Sequence, residues 1–151
     1  MAGQGSVINA VARALSAAEW VVVFTCTPNT AHHNVVPIPT VSGGAKQRYP
    51  DILAVRQGIT RLVEVELTLN ERVLQEIIER FEDDLAAFAE TIAWNRWRDH
   101  VGASTGIKLP AAFVPDFQLV ICRGLSARDQ DLIRRLAESG IRTISALDYS
   151  P

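Results

Sequence analysis

Apolar positions along the chain fall into blocks of helical and strand spacing. Val7, Ile8, Val11, Ala14 and Leu15 recur at three- and four-residue intervals behind Ser6, so the spacing predicts a first helix with Ser6 as its N-cap. Trp20 to Thr27 is a β-branched and aromatic run that stops at Pro28-Asn29, the pattern of a buried strand entering a turn. Between Asn29 and Tyr49 periodicity fails. Pro37, Pro39, Gly43 and Gly44 interrupt it, and Val35 to Val41 is an edge strand at most. Two strands, Asp51 to Arg56 and Thr60 to Leu69, flank the hairpin signal Gln57-Gly58. Asn70 then caps a long helix. Leu74, Ile77, Ile78, Phe81, Leu85, Phe88 and Ile92 keep its apolar face, and Glu71, Arg72, Glu76, Glu79, Glu82 and Asp83 take the other. Trp94 to Pro115 reads as a helix end and a long loop, and Phe117 to Cys122 as a strand. Ser126 opens a helix that Gly140 closes, and Ile141 to Leu147 is a last strand. The expected order is α-β-β-β-α-β-α-β, an α/β chain.

Composition narrows the class. With 151 residues, 48% of them apolar and 21% charged, residues 1–151 are expected to form a single domain able to bury its own core. Cys26 and Cys122 sit in apolar runs without metal-ligand spacing, which excludes a zinc ribbon and predicts two small buried residues in a reducing compartment. The apolar runs fall far short of the roughly 20 residues of a membrane helix, and no basic segment opens the chain, so a cytoplasmic protein without membrane contact is expected. Fifteen basic against 17 acidic residues leave a net charge of −2, so any nucleic-acid contact must be a local patch.

The candidate chemistry lies in Leu62-Val63-Glu64-Val65-Glu66-Leu67. Two carboxylates two positions apart on a strand share one face, about 6.5 to 7 Å from each other, while Val63, Val65 and Leu67 take the opposite face. If Gln57 and Gly58 are the two central turn residues, Arg56 pairs with Ile59, Leu53 with Leu62 and Asp51 with Glu64. Three acidic groups then converge at one end of the hairpin, since opposed residues have Cβ atoms roughly 4.5 to 5.5 Å apart. Such crowding disfavours three anions unless a cation lies among them, and hard oxygen donors suit Mg²⁺ or Mn²⁺ better than zinc. A bulge at Gly58 would bring Asp51 opposite Val65 and break the site.

Pro50-Asp51 followed thirteen positions later by Glu64-Val65-Glu66 resembles the PD-(D/E)XK nuclease superfamily, and the element order from Val7 to Cys122 is similar to its core. The resemblance implies a restriction-endonuclease-like fold with a central mixed β-sheet flanked by helices. It implies Asp51 and Glu64 as metal ligands, the Val65 carbonyl as a further ligand, and phosphodiester hydrolysis with Mg²⁺ or Mn²⁺. The family usually has lysine where this chain has Glu66, and by resemblance Glu66 becomes the water-activating group. Gln75 is a further site candidate by analogy, on the helix after the hairpin, and Glu19 a fainter one at the end of the first helix. Lys46, Arg48, Arg56 and Arg61 are candidates for phosphate contact, and Arg96 and Arg98 with Trp94 and Trp97 for a second contact or stacking platform.

Each motif also has an ordinary structural reading. Alternating Val and Glu suits any amphipathic edge strand, Trp94 and Trp97 suit a helix end packed on the core, and the basic clusters suit solvated faces. His32-His33 has no other ligand types near it and receives no role. Three functions follow: a Mg²⁺-dependent DNA endonuclease of restriction, repair or recombination, acting as a homodimer because two strands need two sites; a catalytically silent relative that binds nucleic acid or a larger protein partner; and an α/β assembly module whose acidic face is merely solvated. No Gly-x-Gly-x-x-Gly, Walker sequence or Gly-x-Ser-x-Gly elbow is present, which argues against a nucleotide-dependent enzyme or a serine hydrolase.

Overall fold

Five strands form one mixed sheet with helices on both faces, in a computed structural model that describes residues 3–28, 35–39 and 48–151. Lys46, His32, His33 and the Thr40-Val41 end of the suggested edge strand lie outside the described residues. In chain order the elements are α1 (Gln4–Ala17), β1 (Val21–Thr25), β2 (Ile52–Arg56), β3 (Ile59–Glu66), α2 (Glu71–Ala87), α3 (Thr91–Thr105), β4 (Pro115–Ile121), α4 (Gln130–Glu138) and β5 (Ile141–Ser145). The strands lie side by side in sequence order. β1, β2 and β3 form an antiparallel meander, and β4 and β5 add in parallel, each after a helical crossover.

Local chemistry accounts for most boundaries. Gln57 (φ 49°) and Gly58 (φ 82°) both take the left-handed backbone that a two-residue hairpin turn of type I′ requires, so β2 and β3 pair from Arg56↔Ile59 to Ile52↔Val63 as expected. Asn70 caps α2 by accepting a hydrogen bond from the Val73 N–H at 2.9 Å. Ser126 and Asp129 form a reciprocal capping box that opens a short 3₁₀ turn ahead of α4, and Gly140 (φ 83°) ends that helix. α1 starts earlier than expected, with Gly3 rather than Ser6 at the N-cap.

The expected element order needs correction in one region. The helix beginning at Glu71 ends at Ala87, and Trp94 to Thr105, read as a helix end and loop, belongs to a separate helix, α3. The continued apolar spacing through Ile92 hid the break, and Ile92 is in fact exposed. Trp94, Trp97 and Val101 carry the buried side of α3. Both tryptophans pack around Phe88, and their indole N–H groups donate to the Pro110 and Pro37 carbonyls at 3.0 Å. They are therefore core residues and not a stacking platform.

The sheet separates two apolar layers. Leu53, Val55, Leu62, Phe117, Leu119 and Ile121 face α2, α3 and α4, whereas Ile52, Ala54, Val63, Val65 and Val120 face α1. Strands buried on both sides explain why period-two alternation is weak here. No helix among the described residues is long and apolar enough to cross a membrane.

Arg61 also departs from its expected role as a phosphate contact. Its side chain is buried on the α1 side of β3, where Nε donates to Asp116 at 2.6 Å and the guanidinium stacks 3.9 Å from the Trp20 ring centroid. Replacing it removes the partner of the half-exposed Asp116 and opens space beside Trp20. Arg61→Ala is expected to lower stability by about 2 kcal/mol in urea unfolding, and a loss within experimental error would contradict the structural role.

Candidate metal centre at the open end of the hairpin

The antiparallel register carries one position beyond β2. Since Ile52 faces Val63, Asp51 stands opposite Glu64, on the sheet face that also bears Glu66 and looks toward α2. Here β2 gives out while β3 continues. The Val65 N–H and C=O consequently point to an edge with no strand to pair them. The Asp51 carboxylate accepts from the Val65 N–H at 2.7 Å, and the Val65 carbonyl accepts from the side-chain amide of Gln4 at the start of α1. The carbonyl suggested as a metal ligand is thus beside Asp51 and engaged by Gln4. The Asp51 carbonyl in turn accepts from Cys26 at 2.8 Å, which ties the position to the end of β1.

Above this edge is a cavity of about 420 Å³ whose lining includes Gln4, Tyr49, Asp51, Glu64, Glu66 and Arg80. Arg80 comes from α2. Its Nη1 lies 3.2 Å from Glu64 and 3.9 Å from Glu66, so one guanidinium nitrogen spans both glutamates. One turn further along α2, Asp84 and its neighbour Asp83 hold Arg48, with Asp83 at 3.0 Å. Arg48 also pairs through its backbone with Ile38, and Ile38, Arg48, Tyr49 and Pro50 line one side of the cavity.

Burial sets the electrostatics. Desolvation raises the Asp51 carboxyl to about 6, against the opposing Val65 hydrogen bond. Glu64, 5% exposed at its side chain, is pushed well above the usual range by burial and then by the Asp51 charge, only partly offset by Arg80. Glu66 is raised more modestly by burial, again opposed by Arg80, and Asp84 rises to about 7 by burial against the pull of Arg48. Burial also pushes the Cys26 and Cys122 thiols up, which argues against either as a thiolate nucleophile.

The expected carboxylates Asp51, Glu64 and Glu66 line the same cavity. Other candidates lie elsewhere. Gln75 is exposed on α2 and outside the lining, because Arg80 and Asp84 occupy the side of the helix that meets the cavity. Glu19 and Arg56 line a hollow at the hairpin turn, the opposite end of the sheet. Glu19 terminates α1 in the left-handed region at φ 68°. Arg48 is present but committed to the α2 aspartates. Gln4, Arg80 and Asp84 were not expected. A shared helical face four residues apart links Arg80 to Asp84, but only the tertiary fold brings either to the strand glutamates.

Among the described residues no three His, Cys, Asp or Glu side chains form a ready-made metal cluster. The donors that do meet, Asp51 and Glu64, are hard oxygens, and Mg²⁺ is commonly held by one or two carboxylates while retaining several waters. The pair fits that ion better than zinc, which favours nitrogen and sulfur ligands. No protein-family model matches the chain, and no curated protein is significantly similar to it.

The raised carboxyls have a pH consequence. From the ordinary value of 3.8 up to about 6, the folded chain retains a proton on Asp51 that the unfolded chain has lost, so stability falls as pH rises through this window. Glu64 extends the fall to higher pH. Metal-free protein is expected to lose roughly 2 kcal/mol or more from this pair between about pH 4.5 and 8. Glu64→Gln should make the decline shallower in denaturant titrations, most of all above about pH 6, where Asp51 has already lost its proton. An unchanged slope would show that the pair is not electrostatically strained.

Proposed function

We propose that this chain is a Mg²⁺- or Mn²⁺-dependent DNA endonuclease of the restriction-endonuclease-like fold. The observation that carries the proposal is the meeting of Asp51 and Glu64 at the open edge between β2 and β3, with Glu66 two positions along the same strand face. The architecture is compatible with it at the level of a mixed five-strand sheet flanked by helices, in which a helix and an antiparallel three-strand meander precede a parallel fourth strand, while α3 departs from the expected order.

In this reading Asp51 and Glu64 would hold the ion, and the Val65 carbonyl, which now accepts from Gln4, would be a further oxygen donor. A bound ion would supply charge neutralisation at the phosphate and a lowered pKa for water. Glu66, partly exposed at the cavity and shifted upward by burial, accepts the proton from the attacking water. A new P–O bond forms in line with the ester P–O bond that breaks, and the departing oxygen takes a proton from solvent. Cleavage of both strands of a duplex calls for two copies of the chain, hence a homodimer.

One observation favours a second reading, a catalytically silent nuclease-fold protein that binds nucleic acid or a protein partner: Arg80 places a positive charge of the chain itself against both glutamates. Plasmid and branched-DNA cleavage with Mg²⁺ or Mn²⁺ separates the two. Cleavage reduced roughly 100-fold or more by Asp51→Asn and by Glu64→Gln, in variants that remain folded, is the expected result. Metal-independent DNA binding with no cleavage of any substrate would favour the silent protein.

A further inference from the structure

Arg80 is placed differently from the other cation of the cavity. Arg48 meets two aspartates of α2 with two different nitrogens, and its side chain is 20% exposed. Arg80 is 39% exposed, and among the described residues only its Nη1 enters an ion pair, at 3.2 Å and 3.9 Å from Glu64 and Glu66. A guanidinium carries five donors, so most of its hydrogen-bonding capacity lies outside these two ion pairs, on a residue that lines the cavity. The core packing of α2 does not depend on it, since Leu74, Ile77 and Phe81 supply the buried side.

Charge balance gives this placement a meaning. Among the described lining residues, the carboxylates Asp51, Glu64, Glu66 and Asp84 outnumber the guanidiniums Arg48 and Arg80. A divalent cation drawn to Glu64 must compete with Arg80 for the same oxygens, and two cations cannot share them without repulsion. We propose that Arg80 is a resident counter-ion that a divalent cation displaces from Glu64 and Glu66, and that the displaced guanidinium then engages a phosphodiester oxygen at the cavity mouth. Guanidinium suits that second task because its planar fork binds phosphate oxygens in pairs. The role rests on the metal-binding function proposed for Asp51 and Glu64. It gives Arg80 opposite effects on the two ligands, which a purely structural ion pair would not have.

The test is Mn²⁺ titration by isothermal calorimetry on wild type, Arg80→Gln, Arg80→Lys and Glu64→Gln, with duplex oligonucleotide affinity measured by fluorescence anisotropy in Ca²⁺. Circular dichroism checks that each variant is folded. Arg80→Gln is expected to bind Mn²⁺ roughly tenfold more tightly than wild type, by loss of a nearby positive charge, and to bind the duplex more weakly. Arg80→Lys, which keeps the charge, should stay near wild type for Mn²⁺ and lose part of the duplex affinity. Mn²⁺ binding that is lost in Glu64→Gln but unchanged or weakened in Arg80→Gln overturns the counter-ion role and leaves the metal site standing. Tighter Mn²⁺ binding with unaltered duplex affinity overturns the hand-over to phosphate. Absence of Mn²⁺ binding in both wild type and Arg80→Gln overturns the counter-ion role together with the metal site.

Discussion

The pairing register of β2 and β3 is the constraint on which the candidate site depends. It is set at the Gln57-Gly58 turn, where two consecutive positive φ angles fix which residues face each other all the way to Ile52 and Val63. Glu64 lies about 20 Å along the strand from that turn. A slip of one residue there would turn its side chain toward α1 and leave Asp51 opposite a valine. Burial of both sheet faces makes the slip expensive, because it would also drive Leu62 and Val63 into the wrong layers.

The same architecture forces charge into a poorly solvated place. β3 outlasts β2, so the backbone of Val65 needs partners that no strand supplies, and Asp51 and Gln4 provide them. Asp51 is thereby held against Glu64, where both carboxyls resist ionisation. A buried like-charged pair of this kind is unfavourable for stability and favourable for capturing a cation. Arg80 relieves part of the tension with a single nitrogen, which leaves the carboxylates under-neutralised.

Features governed by short-range chemistry were legible in the sequence. The Gln57-Gly58 turn, the Asn70 cap and the Gly140 stop each act within a few residues, and the hairpin register followed from the first of them. The position of Asp51 opposite Glu64 was legible for the same reason. α3 was not, because its buried side is carried by two tryptophans and a valine among charged residues and glycines, a pattern that resembles a loop when no partner surface is known. Arg61 looked like a surface cation, but its environment is set by Asp116 and Trp20, 55 and 41 positions away. Gln4, Arg80 and Asp84 were invisible on the same ground: helices that pack on opposite faces of the sheet deliver them to one cavity.

A crystal grown with Mn²⁺ and measured at the manganese absorption edge tests the central claim most directly. The expected result is an anomalous peak between the carboxylates of Asp51 and Glu64, with Arg80 turned away from both glutamates. Ordered protein with Asp51 and Glu64 still in mutual contact, Arg80 still on the glutamates and no anomalous density at the cavity would contradict it.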